Sequence, residues 1–186
     1  MLAGPNGAGK TTASQRLLTG ALAVEEFVNA DAIAKGLSAF RPESVAIEAG
    51  RIMLARLHEL ATRRVSFAFE TTLASRTFAG WIKELIADGY TFRLIFLWLP
   101  SADHALTRVR ERVSSGGHDI PEDVVRRRYE AGLRNFFRLY SPISAGWMFV
   151  DNSVRGTQGV IAEGSFDRTS LVLEPGLWDN LKREWS

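Results

Sequence analysis

The stretch Gly4-Pro5-Asn6-Gly7-Ala8-Gly9-Lys10-Thr11 constrains this chain more than any other. It fills every specified position of the pattern G-x-x-x-x-G-K-[ST]. A loop that wraps a polyphosphate must turn tightly and bring backbone N–H groups up to phosphate oxygens. Side chains would obstruct both, so glycines recur. Such a loop sits between a strand and a helix whose positive end faces the anion. Here Met1-Leu2-Ala3 reads as the tail of a strand, and a helical pattern runs from about Lys10 to Leu18. On this reading Gly4, Pro5, Asn6, Gly7, Ala8, Gly9, Lys10, Thr11 and Thr12 cradle ATP. Lys10 reaches the β- and γ-phosphates, and the Thr11 hydroxyl ligates Mg²⁺. Only three residues precede Gly4, fewer than the roughly five or six of an ordinary strand, so the start reads as truncated or misassigned.

The rest of the chain alternates strand and helix signals, the mark of an α/β fold with a parallel sheet. Strands are expected at Val24–Asn29, Val65–Phe69, Thr91–Leu99 and Trp147–Val150. Thr91–Leu99 is nearly all apolar, as in a central strand covered on both faces. Helices are expected at Ser44–Thr62, Thr77–Asp88, Ala102–Ser115 and Pro121–Tyr140. Val160–Ala162 and Ser170–Leu173 read as a small hairpin, and Leu177–Trp185 as a closing helix. The prediction is a five-stranded parallel sheet flanked by helices, nucleotide-kinase-like, with a C-terminal β-hairpin, in one domain over residues 1–186.

Composition narrows the function. Hydrophobic residues are 46% and charged residues 24%, as in soluble globular domains. A net charge of +2 argues against a nucleic-acid reader, whereas the arginines gathered between Arg108 and Arg138 suit phosphate groups. The chain has no cysteine, which excludes thiolate chemistry and fits a reducing compartment. No signal peptide is visible, and the longest large-apolar run, Leu94–Leu99, is far short of the ~20 residues of a membrane span. The expectation is a cytoplasmic protein that binds neither membrane nor nucleic acid.

Three carboxylates lie at expected strand ends, where open α/β sheets bind ligands. Asp31 follows the second strand and is either a base for an acceptor hydroxyl or the N-cap of a helix beginning at Ala32. Glu70, followed by Thr71 and Thr72, ends the third strand. It reads as a holder of a Mg²⁺ water, as a substrate contact or as a solvated strand end. Asp151 ends Met148-Phe149-Val150-Asp151, a weak Walker B pattern, and the adjoining Asn152-Ser153 could equally face the adenine edge. Arg108 and Arg112 share a helix face. A Gly-containing turn with His118 follows, then Arg126, Arg127 and Arg128. A helix–turn–helix with this many arginines over residues 108–128 fits a lid that stabilises charge on a departing phosphoryl group. The alternative is a solvated charged face. His118 reads as a phosphate donor, a substrate contact or a turn residue.

Taken in order, Gly4–Thr12, Val28-Asn29-Ala30-Asp31, Phe67-Ala68-Phe69-Glu70-Thr71-Thr72 and Gly116-Gly117-His118-Asp119-Ile120-Pro121 resemble the zeta toxin family of P-loop kinases. The resemblance runs from about Leu2 to Asn152 and extends to the small zeta-toxin-like proteins described as predicted ATPases. It implies a kinase whose acceptor is a sugar 3′-hydroxyl, that of UDP-N-acetylglucosamine in zeta toxins, and an antitoxin partner. Asp31 matches the family's base, and Glu70 its substrate contact. Arg112 matches a lid arginine, with Lys10 as the other electrostatic stabiliser. Thr71, His118 and Arg127 complete the expected substrate contacts. One departure stands out: many zeta toxins carry Gly-Arg-x-x-Pro where this chain has Gly117-His118-Asp119-Ile120-Pro121. Two rival readings are an ABC-type ATPase, suggested by Ser114-Ser115-Gly116-Gly117, and a nucleotide-dependent switch without turnover. Against the first, Asn152 stands where a Glu would polarise water.

Overall fold

A computed structural model describes residues 1–16, 24–117, 119–154 and 156–186. The expected helical residues 17–18 and His118 lie outside the described residues. Contacts group the chain into two compact units: Met1–Lys10 with Thr71–Ser186, and Thr11–Glu70.

The first unit is built on strands β1 (Leu2–Ala3), β4 (Arg93–Trp98), β5 (Gly146–Asp151), β6 (Gly159–Ser165) and β7 (Arg168–Val172). β1 and β5 flank β4 in parallel, with Leu2 opposite Ile95 and Phe96 opposite Phe149. β4 is buried from Leu94 to Trp98, as its unbroken apolar run predicts for a strand covered on both faces. The hairpin β6–β7 does not stand apart from the sheet. β6 pairs antiparallel with β5, and β7 with β6. The described residues therefore carry seven strands rather than five with a separate hairpin, and the sheet is mixed. A hairpin as short as this one is not independently stable, and the edge of β5 supplies the missing partner.

Helices α4 (Thr77–Ala87), α5 (Ala102–Ser114), α6 (Glu122–Asn135) and α7 (Pro175–Trp185) complete this unit. Ser101 caps α5 by accepting the His104 N–H at 3.1 Å, and Pro175 opens α7 where a missing N–H costs nothing. The helix expected to run to Tyr140 changes character at Phe136, where Phe136–Tyr140 forms a π turn. Phe136 and Tyr140 are both fully buried. Phe136 packs edge-on to Phe149 at 4.9 Å and to Trp147 at 5.7 Å, and Trp178 of α7 stacks on Trp147 at 5.4 Å. These rings form the core between the sheet and the last helix.

The second unit holds α1 from Thr11 on (the helix is Lys10–Arg16), β2 (Glu26–Val28), α2 (Ala30–Leu37), a 3₁₀ turn at Pro42–Val45, α3 (Ala46–Thr62) and most of β3 (Phe67–Thr71). β2 and β3 run parallel, with Val28 opposite Phe69. α3 buries Ala49, Met53, Leu57 and Leu60, a stripe at helical spacing. Arg56 of α3 reaches Glu26 of β2 at 3.0 Å. α2 begins two residues before the start at Ala32 that one reading of Asp31 implied. Its apolar residues Ala30, Ile33, Ala34 and Leu37 follow helical spacing, although only Ala34 is buried.

Two buried phenols make the first unit sensitive to alkali. Tyr129 donates to the Leu99 carbonyl at 2.9 Å and Tyr140 to the Ser75 carbonyl at 2.6 Å. Burial pushes both up to about 12 from an ordinary 10.0. Because the folded state resists ionisation, their contribution is fully present below pH ~10 and is lost as pH rises toward ~12. Chemical denaturation at stepped pH will show stability falling across that window. Trp178→Ala will cost about 3–5 kcal/mol in the same assay at neutral pH.

Candidate functional site

The glycine pattern of the phosphate loop has a steric cause in the first unit. Gly4, Gly7 and Gly9 adopt φ of 141°, 79° and 77°, a region that disfavours side chains. A Cβ on Gly4 would run into the Leu97 carbonyl. On Gly7 it would lie 2.8 Å from the Ala105 carbonyl oxygen, and on Gly9 2.9 Å from Asn152 Nδ2. The loop is thus pressed against β4, α5 and the segment after β5. It is closed internally by the Ala8 N–H donating to the Pro5 carbonyl at 3.1 Å. Lys10 is buried, and its ammonium donates to the same Pro5 carbonyl at 3.0 Å. The lysine is therefore already drawn across the loop that a phosphate would occupy. Asn6 buries a carboxamide oxygen that has no hydrogen-bond partner among the described residues, an acceptor that a ligand hydroxyl or a metal-bound water would satisfy.

Sequence reasoning missed the residue that holds this loop from behind. Asn152 is buried, its Nδ2 donates to the Ala8 carbonyl at 2.6 Å, and its own N–H bonds to the Trp98 carbonyl at 3.1 Å. Asp151 turns its carboxylate back to the Ser153 N–H at 2.8 Å and so shapes the turn after β5. Arg108, expected in the mobile lid, donates to the Ser153 carbonyl. Arg108 and Ser153 then line a cleft of about 410 Å³ together with His104, Thr107, Glu111 and Val154. Asn152 thus backs the phosphate loop, and Ser153 beside it faces the cleft.

The second unit gathers the carboxylates. Thr11 follows Lys10 in the first turn of α1, and its hydroxyl donates to Glu70 Oε2 at 2.9 Å. Asn29 Nδ2 donates to the same oxygen at 2.7 Å. The Asn29 side-chain oxygen accepts the N–H groups of Asp31 at 2.7 Å and of Ala32 at 3.1 Å. Asn29, not Asp31, is therefore the cap of α2. Asp31 sits in the first helical turn with an exposed side chain, relieved of the capping role. Thr71 ends β3, half-buried, and its hydroxyl accepts the Leu73 N–H at 3.1 Å.

The arginines sort by partner. Arg126 binds Asp103 at 2.6 Å and Glu122 at 2.7 Å, and Arg110 binds Glu122 at 3.1 Å. These ion pairs tie α5 to α6, and the Arg126 hydrogen bond holds the Glu122 carboxyl below its usual range. Arg127 is exposed on α6. Arg112 is half-buried near the end of α5, and its carbonyl accepts the Gly117 N–H at 2.9 Å. A Cβ on Gly117 would stand 2.6 Å from Arg112 Cγ, so the glycine before His118 makes room for the Arg112 side chain.

The implied metal suits these donors. A hydroxyl and a carboxylate are hard oxygen ligands, as Mg²⁺ requires. The ion usually takes one or two protein groups and fills its remaining positions with water and phosphate. Among the described residues no group of three or more His, Asp or Glu could hold a metal by itself.

The chain belongs to the AAA domain family, whose model matches residues 1–139. An uncharacterized protein of Haemophilus influenzae is 30% identical over 126 residues, 68% of this chain and 88% of that one. The fold matches the crystal structure of AvrRxo1-ORF1:-ORF2 with ATP, with a TM-score of 0.72 at 17% identity over 97% of this chain. The chain spans about 62% of the AvrRxo1 chain's length. It also matches the PezAT chromosomal toxin-antitoxin system of Streptococcus pneumoniae, with a TM-score of 0.67 at 15% identity, over 100% of this chain and 78% of that one. The zeta-toxin-like P-loop kinase fold read from the sequence is therefore the fold of this chain. No helix among the described residues is long and apolar enough to cross a membrane.

Removing the brace behind the loop leaves the Ala8 carbonyl buried without its donor. Asn152→Ala will weaken nucleotide binding by roughly 5- to 150-fold, the equivalent of about 1–3 kcal/mol for an orphaned buried group. Calorimetric titration with ATP checks it, provided the variant's melting curve shows it folded.

Proposed function

We propose that this protein is an ATP-dependent phosphotransferase that moves the γ-phosphate of ATP to a hydroxyl of a small acceptor. One observation carries the reading. Glu70 holds the Thr11 hydroxyl of the phosphate-loop helix, while Asn29 caps α2 and relieves the Asp31 carboxylate of that task. Glu70 would serve Mg²⁺·nucleotide binding in any case, but the exposed Asp31 carboxylate is one that binding alone does not require.

In this mechanism the backbone N–H groups of Gly4–Thr11 and the start of α1 receive the phosphates. Lys10 leaves the Pro5 carbonyl for the β- and γ-phosphates, a stronger acceptor for a cation than a neutral amide. The base and sugar take the cleft beside Arg108 and Ser153. Thr11 with Glu70 would hold Mg²⁺, directly or through water, and the ion would supply neutralisation of phosphate charge. Asp31 accepts the proton of the acceptor hydroxyl as its oxygen attacks the γ-phosphorus. The bond from that phosphorus to the β–γ bridging oxygen breaks, and ADP leaves. Arg112 stabilises charge on the group in flight and, with α5 and α6, belongs to a lid over residues 108–128. Thr71, His118 and Arg127 are the remaining substrate contacts.

The zeta-like motifs make UDP-N-acetylglucosamine the first acceptor to test. The relatives named above are a two-protein complex and a toxin-antitoxin system, which supports an antitoxin-like protein partner for this chain.

The test is ADP release from ATP·Mg²⁺ with and without UDP-N-acetylglucosamine, with the products weighed by mass spectrometry. The expected result is acceptor-dependent release and a phosphorylated sugar nucleotide. Lys10→Ala will abolish transfer, and transfer by that variant would sink the mechanism. Asp31→Asn will still bind ATP but lose about 10²–10⁴-fold in rate, the usual worth of a general base. Undiminished ADP formation by Asp31→Asn would favour hydrolysis without an acceptor, the motor or switch reading.

A further inference from the structure

Asn29 satisfies two different demands at once, and few side chains can. Its side-chain oxygen takes two N–H groups of the first turn of α2, and its amide nitrogen donates to Glu70 Oε2. The partners fix which way the carboxamide faces: backbone donors on one side, a carboxylate acceptor on the other. Serine or threonine would cap the helix equally well but has no second arm to reach Glu70. Aspartate would cap as well, but would set a second carboxylate against the first. Asn29 is buried, so neither hydrogen bond is shared freely with solvent, and each is worth more than at the surface.

We propose that Asn29 is a positioning residue that couples the two ends of the acceptor half of the site. It fixes Glu70 on Thr11 and, through the α2 cap, fixes the turn that carries Asp31. The inference deepens the phosphotransfer reading and rests on it for the roles of Thr11 and Asp31. With Glu70 held as acceptor, the Thr11 hydroxyl spends its proton on the carboxylate and keeps its lone pairs for the cation. Without the Asn29 donor, Glu70 Oε2 loses one of the two hydrogen bonds that orient it toward Thr11, and the hydroxyl's orientation is less fixed. Groups that orient a metal ligand from behind typically matter by roughly 10–100-fold in metal affinity or activity.

The test uses the full chain and two variants: Asn29→Ser and Asn29→Asp. Calorimetry measures ATP affinity as a function of Mg²⁺ concentration, and melting curves report the cap. Asn29→Ser keeps the cap, so its melting temperature should stay near that of the parent, while the Mg²⁺ needed for half of the affinity gain rises at least about tenfold. Asn29→Asp should be worse. An unchanged Mg²⁺ dependence in Asn29→Ser, with only its melting temperature lowered, would reduce Asn29 to a helix cap. So would an unchanged Mg²⁺ dependence in Asn29→Asp, which also keeps the cap. Because binding is read without turnover, a parent chain that transfers no phosphate to any acceptor overturns the phosphotransfer reading and leaves the calorimetry to decide on Asn29.

Discussion

The phosphate loop has its shape because the carboxamide of Asn152 holds the carbonyl of Ala8. Three loop glycines leave the backbone there with little stiffness of its own, and an unbraced Gly-rich turn would sample many conformations that no phosphate fits. The brace removes that freedom before ligand arrives, which is where preorganised sites gain affinity. Glycines and asparagine answer to the same packing: a Cβ at Gly9 would occupy the space of the Asn152 amide. The order β1–β4–β5 in the first unit puts the loop after β1 and the turn after β5 at the same end of parallel strands.

A second polar network runs through the other unit on the same principle. There one glutamate oxygen receives a hydroxyl from α1 and an amide from the end of β2. Both networks consist of short bonds from a neutral side chain to a group whose position matters chemically. In each the asparagine stands immediately beyond a strand. A strand end gives a fixed point in space, and asparagine is the shortest side chain offering both an amide donor and a carbonyl acceptor.

Much of this was legible in the sequence because its causes are local. The phosphate loop is a contiguous pattern, the Thr91–Leu99 run announces a buried strand, and the zeta-like motifs keep their order along the chain. Asp31 and Glu70 could be placed at strand ends from β-patterning alone. What escaped has non-local causes. Asn152 matters only because residue 8 lies against it, and no spacing rule connects positions so far apart. Asn29 stood in plain view beside Asp31, yet its side chain, not that of Asp31, caps α2. The hairpin was visible, but not that β6 would find β5, because edge pairing leaves no periodic trace. Arg126 looked available for phosphate until Asp103 and Glu122 were found on it.

The distance in sequence between Asn152 and Ala8 bears on how the protein is made. The hydrogen bond spans 144 positions, and contacts of such long range close late in folding because loop entropy must be overcome first. The phosphate loop leaves the ribosome well ahead of the turn after β5, yet it cannot be set until that turn has followed it. The nascent chain therefore carries its nucleotide motif through a long stretch of synthesis without the means to use it. The turn after β5 thus follows both arginine-bearing helices, α5 and α6, out of the ribosome before it can brace the loop.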